Sequence, residues 1–221
     1  MRIRYGSTIP REVGLGGSSA IVIATLRALA TLAGVTITDE RLPALALAVE
    51  TEDLGIAAGL QDRVAQTYEG LVFMDFERGR NERLDAGLLP AMVVAWLPTA
   101  AGRSGDVHGT LRARHERGER AVVGAMATLA RLARDAHAAL LCGDHAAFAD
   151  ALDAGYRVRA AILDLDARHA QLVAIARRLD LSATYTGSGG AIAVIAPRDD
   201  EVSALTQALV KAGARVAPAL F

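Results

Sequence analysis

The segment that most narrows what this chain can become is Gly14-Leu-Gly-Gly-Ser-Ser19, set directly before an apolar stretch at 20–33. Glycines let a backbone take positive φ and approach another group closely. A helix that starts at the end of such a loop leaves free N–H groups in its first turn, with about half a positive charge there. Together these form a cradle for phosphate. Ser18 and Ser19 add hydroxyls able to hydrogen-bond phosphate or ligate Mg²⁺. A plainer reading fits the same residues: a glycine-rich turn with a serine N-cap. Two familiar phosphate motifs are excluded. A P-loop needs a lysine after its second glycine, and Lys211 is the only lysine in the chain. A dinucleotide fingerprint needs Gly-x-Gly-x-x-Gly and an acidic residue ending the next strand, whereas the next predicted element here is another helix.

Composition bounds the rest. With 221 residues, 52% hydrophobic and 22% charged, the chain falls outside the disordered classes and can bury a core of its own. A net charge of −1 argues against nucleic acid as a partner. One cysteine, Cys142, excludes a disulfide framework, suits a reducing compartment and reads as a small buried hydrophobe. The start, Met-Arg-Ile-Arg-Tyr-Gly, lacks a signal-peptide core. The stretch 20–33 is interrupted by Arg27 and is shorter than the ~20 apolar residues a bilayer span needs. The expectation is a soluble, cytoplasmic chain without a membrane partner.

Along the chain, alternation predicts a short strand at 2–5 and the apolar run a helix at 18–33, with Gly34 as its C-cap. Asp39 is placed to N-cap a second helix at 40–53, and a third follows at 60–68. Residues 71–76 read as a strand, 79–87 as a charged turn and 91–97 as a buried strand stopping at Pro98. A glycine-rich link at 100–109 is the best boundary, giving domains at 1–99 and 100–221. Residues 110–180 are helical in composition, divided near Gly118, Gly143 and Asp164–Asp166 into three or four helices. Strands are predicted at 183–185, 191–196 and 214–217, with a helix at 199–212. Strands in both halves without regular strand–helix alternation give an α+β fold, two layers in each half.

Two further features carry chemistry. Glu50 and Asp62 lie twelve residues apart across the break Gly55-Ile-Ala-Ala-Gly59. Two helices meeting there would aim both carboxylates into one cleft, and phosphoryl transfer needs both a metal ligand and a group that takes or orients the substrate proton. Asp62 paired with its neighbour Arg63 is the plainer reading. Thr186-Gly-Ser-Gly-Gly190 carries more glycine than a tight strand connection requires, as if its backbone passes close to a phosphate or to the first loop. The five histidines, His108, His115, His137, His145 and His169, show no metal spacing. Arg112, Arg114, Arg117 and Arg120, balanced by Glu116 and Glu119, read as a solvated helix face. A second reading sets residues 104–108, Arg112 and Arg114 at the border of a cleft, where an arginine would suit an acidic sugar.

Taken in order, Pro10-x-x-x-Gly14-Leu-Gly-Gly-Ser-Ser-Ala20, Gly55-x-x-x-Gly59-x-x-Asp62 and Thr186-Gly-Ser-Gly-Gly190 resemble the motif set of the GHMP kinases. The glucuronokinase-like branch is the most similar, through Gly55-Ile-Ala-Ala-Gly-Leu-Gln-Asp-Arg-Val64, Tyr68-Glu-Gly-Leu-Val72 and Met74-Asp-Phe76, and the resemblance covers nearly the whole chain. It implies a ribosomal protein S5 domain 2-like N-terminal half, truncated here, and a C-terminal α+β domain, with the active site between them. It also implies an ATP- and Mg²⁺-dependent sugar kinase. Gly14, Leu15, Gly16, Gly17, Ser18 and Ser19 would wrap the ATP phosphates, helped by Gly187, Ser188 and Gly189. Ser18 and Glu50 would hold the metal, and Asp62 would act on the attacking hydroxyl. Arg63 departs from the Asn or Gln of most of the superfamily but matches the glucuronokinase-like members. The family's first motif, several tens of residues ahead of the phosphate loop, has no counterpart. That implies a late start codon, a split gene or a partial chain. The alternative reading is a catalytically silent nucleotide or sugar binder, or a fragment needing a partner chain; a homodimer is open.

Overall fold

The computed structural model describes residues 2–10, 12–56, 58–98, 104–187 and 189–219, with the side chains of 104–109 outside the description. The first long element, α1 (Gly17–Ala33), buries Ser19, Ile23 and Ala30 along one face. It ends as expected at Gly34, whose φ of 67° is left-handed, and the Val35 N–H donates to the Ala30 carbonyl at 3.0 Å. α2 (Leu42–Ala48) packs Leu42 and Ala46 on Ile23 of α1, and then widens into a π-helical turn at Val49–Asp53. Asp39 does not cap α2: the N-cap is Arg41, and no side chain caps the helix. α3 (Leu60–Tyr68) follows and buries Arg63, Val64 and Thr67. Arg27 of α1 reaches the Thr67 carbonyl at 2.7 Å and pins α1 to the end of α3.

β1 (Leu71–Asp75) pairs antiparallel with β2 (Arg80–Leu84), from Leu71 opposite Leu84 to Asp75 opposite Arg80. The expected charged turn at 79–87 is therefore mostly a strand. Its arginines and glutamate hide the pattern because it forms one side of a two-stranded ribbon rather than a buried strand. Residues 2–5, expected as a strand, form none and are exposed, so their alternation has no sheet to pack on.

The main sheet has the order β4-β5-β3-β6, with every neighbouring pair antiparallel. Its strands are β3 (Met92–Trp96), β4 (Ala183–Tyr185), β5 (Ala191–Ile195) and β6 (Arg215–Pro218). Four helices lie between β3 and β4 in sequence: α4 (Ser104–Glu116), α5 (Arg120–Leu141), α6 (His145–Ile162) and α7 (Ala167–Arg177). α8 (Asp199–Lys211) connects β5 to β6. One sheet face holds Val93, Ala95, Ile192 and Val194 against Leu172 and Ala176 of α7 and Leu205 and Leu209 of α8. Met92 and Ile195 pack instead with Ala139 and Leu140 of α5 and Phe148 of α6. Each fully buried Leu, Ile or Val here contributes roughly 1.5–3 kcal/mol, which makes this sheet the main reservoir of stability. Because β3 belongs to it, the sheet crosses the division expected at residue 99. The mixture of helices and antiparallel sheet is the α+β class.

Candidate active site: two glycine loops and a carboxylate on one cleft

The helix break at 55–59 and the two glycine loops meet. Residues 12–19 run into α1 through Gly14 at φ 71° and Gly16 at φ 67°, the latter serving as N-cap. Among the described residues no side chain caps α1, and no acidic residue stands in its first turn, so its positive end carries no compensating charge there. Ser18 is exposed, whereas Ser19 is turned inward and only 2% exposed.

The second loop lies against the first, backbone to backbone. A Cβ on Gly14 would stand 2.5 Å from the Gly189 carbonyl oxygen and 2.7 Å from that of Thr186. A Cβ on Gly187 would lie 2.6 Å from the Gly14 oxygen, and one on Gly190 2.6 Å from Val13 Cα. Only glycine fits these approaches at 187 and 190, whereas Gly189 meets nothing within 4 Å and has a φ of 101° that favours glycine. The Thr186 hydroxyl donates within the same junction, to the Ala191 carbonyl at 3.2 Å and toward that of Val13 at 3.4 Å. Ser188 lies outside the described residues.

A cleft of about 840 Å³ opens in front of these loops. Gly14–Ser19, Glu50, Asp62, Arg63, Phe76 and Gly187 line it. Asp62, in the first turn of α3, is half-buried, and its Cβ is 3.9 Å from where a Gly16 Cβ would be. Its carboxylate has no ion pair or hydrogen bond among the described residues. Glu50 sits deeper, 2% exposed, in the π-helical turn, and its Oε2 accepts from Arg63 Nε at 2.7 Å and Nη2 at 2.5 Å. Arg63 Nη1 donates to the Gly59 carbonyl at 2.8 Å. Arg63 is thus the partner of Glu50 and not of its neighbour Asp62, because adjacent helical residues point about 100° apart. A second groove of about 650 Å³, between β1 and α5, joins the cleft at Gln61 and Phe76. His137 lines that groove, stacked on Phe73 with centroids 4.1 Å apart.

All the candidate residues except Ser188 can therefore be placed: the first loop, Gly187, Glu50 and Asp62 line the cleft, and Gly189 lies at the loop junction. Arg112 and Arg114 do not line it. Arg114 is held by Glu119 and by the Ile162 carbonyl at 2.6 Å. Cys142 is exposed at the end of α5 rather than buried, since the helix stops there. His169, expected as an ordinary polar histidine, is 6% exposed beside Tyr185. Among the described residues no group of three or more His, Cys, Asp or Glu forms a metal cage, and no helix is long and apolar enough to cross a membrane. One participant escaped sequence reading, Arg159 of α6, whose guanidinium bonds the second loop. Nothing in its Arg-Val-Arg-Ala context marks it.

Residues 1–70 match the family model of the GHMP kinases N terminal domain. Over 229 residues the chain is 35% identical to Glucuronokinase 1 of Arabidopsis thaliana, covering 98% of this chain and 63% of that protein. Probable glucuronokinase 2 of the same plant is 36% identical over 230 residues, with the same shares of 98% and 63%. The chain thus spans just under two thirds of the length of these curated relatives. Lactococcus lactis galactokinase, solved with galactose, superposes with a TM-score of 0.78 at 17% identity, over 96% of this chain and 67% of that one. The chain is thus similar in sequence to glucuronokinases, its residues 1–70 match the N-terminal domain of the GHMP kinases, and its fold is that of the solved GHMP kinases.

Proposed function

We propose that this chain is an ATP-dependent sugar kinase, with glucuronate as the leading acceptor. The observation that carries the reading is the convergence on one cleft of a helix N-terminus without a side-chain cap, a second glycine loop and a carboxylate, that of Asp62, with no partner among the described residues. The acceptor rests on the names of the two Arabidopsis relatives.

The backbone N–H groups from Leu15 to Ser19 bind the β- and γ-phosphoryl oxygens and stabilise the charge that spreads over them during transfer. Asp62 orients the acceptor hydroxyl and takes its proton as the new O–P bond forms and the bond to the β-phosphate bridging oxygen breaks, releasing ADP. Magnesium suits this donor set, since it is usually held by one or two carboxylates completed by phosphates and water. Ser18 and Glu50 would hold it. When bound, the metal neutralises phosphoryl charge. Arg63, by occupying Glu50 Oε2, fixes that carboxylate and leaves its other oxygen for the cation. The groove joining at Gln61, next to Asp62, gives the acceptor an approach.

The test is Asp62→Ala in a coupled ADP-release assay with a panel of sugars and sugar acids. Turnover is expected to fall by about 10²–10⁴-fold, the usual weight of a general base, with nucleotide binding retained. Near-full activity in the variant removes Asp62 from the chemistry. Preference for a neutral sugar over glucuronate overturns the acceptor but leaves the kinase.

A further inference from the structure

Arg159 stands behind the second glycine loop. Its Nη1 donates to the Tyr185 carbonyl at 2.8 Å and its Nη2 to the Gly187 carbonyl. Partial burial pushes its pKa down, though an arginine remains charged. Among the described residues no carboxylate pairs with it. The two carbonyls it holds flank Thr186, the residue whose hydroxyl points toward Val13. Gly187, in turn, presses its backbone on Gly14 and lines the cleft. A continuous series of contacts therefore runs from α6 through Arg159 and the second loop to the first.

We propose that Arg159 is a positioning residue that holds the second glycine loop against the first and so fixes the first loop's amides for a nucleotide. This rests on the kinase reading for its consequence, not for its geometry. A guanidinium is suited to the task because its planar fork reaches two carbonyls at once and sets the orientation of the segment between them. A lysine offers one point of attachment and would hold the loop less firmly. That no carboxylate among the described residues pairs with Arg159 also fits the role. A salt bridge would draw the guanidinium off the carbonyls, whereas an unpaired cation behind the cleft adds positive potential where polyphosphate binds.

Arg159→Met and Arg159→Lys test this in two ways. In the free protein, amide hydrogen exchange over 12–19 and 186–190 is expected to speed up by about tenfold in the Met variant and by less in the Lys variant, with α7 and α8 unchanged. By calorimetry, a non-hydrolysable ATP analogue with Mg²⁺ is expected to bind about tenfold more weakly to the Met variant, while the KM for sugar stays the same. Unchanged loop exchange, or an acceleration spread evenly over α6–α8, overturns the proposal and leaves Arg159 a packing residue. If the wild-type chain does not bind the analogue, the kinase reading fails and takes the nucleotide consequence with it. The exchange data still decide whether Arg159 secures the loop.

Discussion

The two glycine loops are close in composition and opposite in construction. The first ends in a helix, presents uncapped amides and an exposed serine to the cleft, and takes positive φ at Gly14 and Gly16. The second joins two strands of the main sheet, and its glycines answer mainly to the first loop's backbone. Each also has an arginine beneath it, and the two differ in their partners. Arg63 is buried with Glu50 and neutralised by it, whereas Arg159 bonds two carbonyls and, among the described residues, no carboxylate. One loop thus lines the cleft along its length, and the other packs mainly on the first.

That contrast breaks most visibly at Arg63. Arg63→Met leaves Glu50 as a lone buried carboxylate and is expected to cost about 3–5 kcal/mol in chemical unfolding, largely recovered by adding Glu50→Gln. A loss under ~1 kcal/mol would show that Glu50 is better solvated than its burial implies. Gly14→Ala comes next. Its Cβ meets two carbonyl oxygens within 2.7 Å, so the loops must part, and nucleotide affinity is expected to fall about a hundredfold in calorimetry. Gly34→Ala is the control, with the same left-handed φ but nothing within 4 Å. It should cost only ~1–2 kcal/mol of stability and leave binding intact. Ser18→Ala is a smaller change, expected to weaken nucleotide binding by about tenfold in the presence of Mg²⁺.

The smallest effect separates the sheet from the loops. Burial lowers the His169 pKa below its ordinary 6.5; Asp166 opposes that shift and Arg168 adds to it. The unfolded chain then binds a proton more readily than the folded one, so stability is full above pH 6.5 and declines as pH falls through the lowered value. Asp166, held down to about 2 by hydrogen bonds from Arg168, stays ionised throughout that window and adds no slope to it. The melting temperature should drop between pH 6.5 and 5, and His169→Gln should flatten that slope without altering nucleotide affinity. An unchanged slope would assign it to other groups.

Much of this layout was legible in the residues. Glycine spacing and apolar runs located α1, α3, α8 and a helical run between β3 and β4 divided into three or four helices, because glycines or short acidic segments bound them; α4, though, begins at Ser104, inside the stretch 100–109 expected as a glycine-rich link. Elements whose pattern depends on a distant partner were not legible. β2 is charged along its length and becomes a strand only by pairing with β1. Residues 2–5 alternate without a sheet. The pairing of Arg63 with Glu50 rather than Asp62 depends on the direction of a side chain around a helix, which adjacency in sequence conceals. Arg159 acts through backbone carbonyls, which leave no trace in residue identity.

The amides at the start of α1 carry the kinase reading, and backbone NMR observes them directly. Titrating the ¹⁵N-labelled chain with a non-hydrolysable ATP analogue and Mg²⁺ should shift the amides of Gly16, Gly17, Ser18 and Ser19 most, with Gly187, Gly189 and Asp62 following at the same concentration. Saturable binding that leaves those amides still and moves a different surface would contradict it.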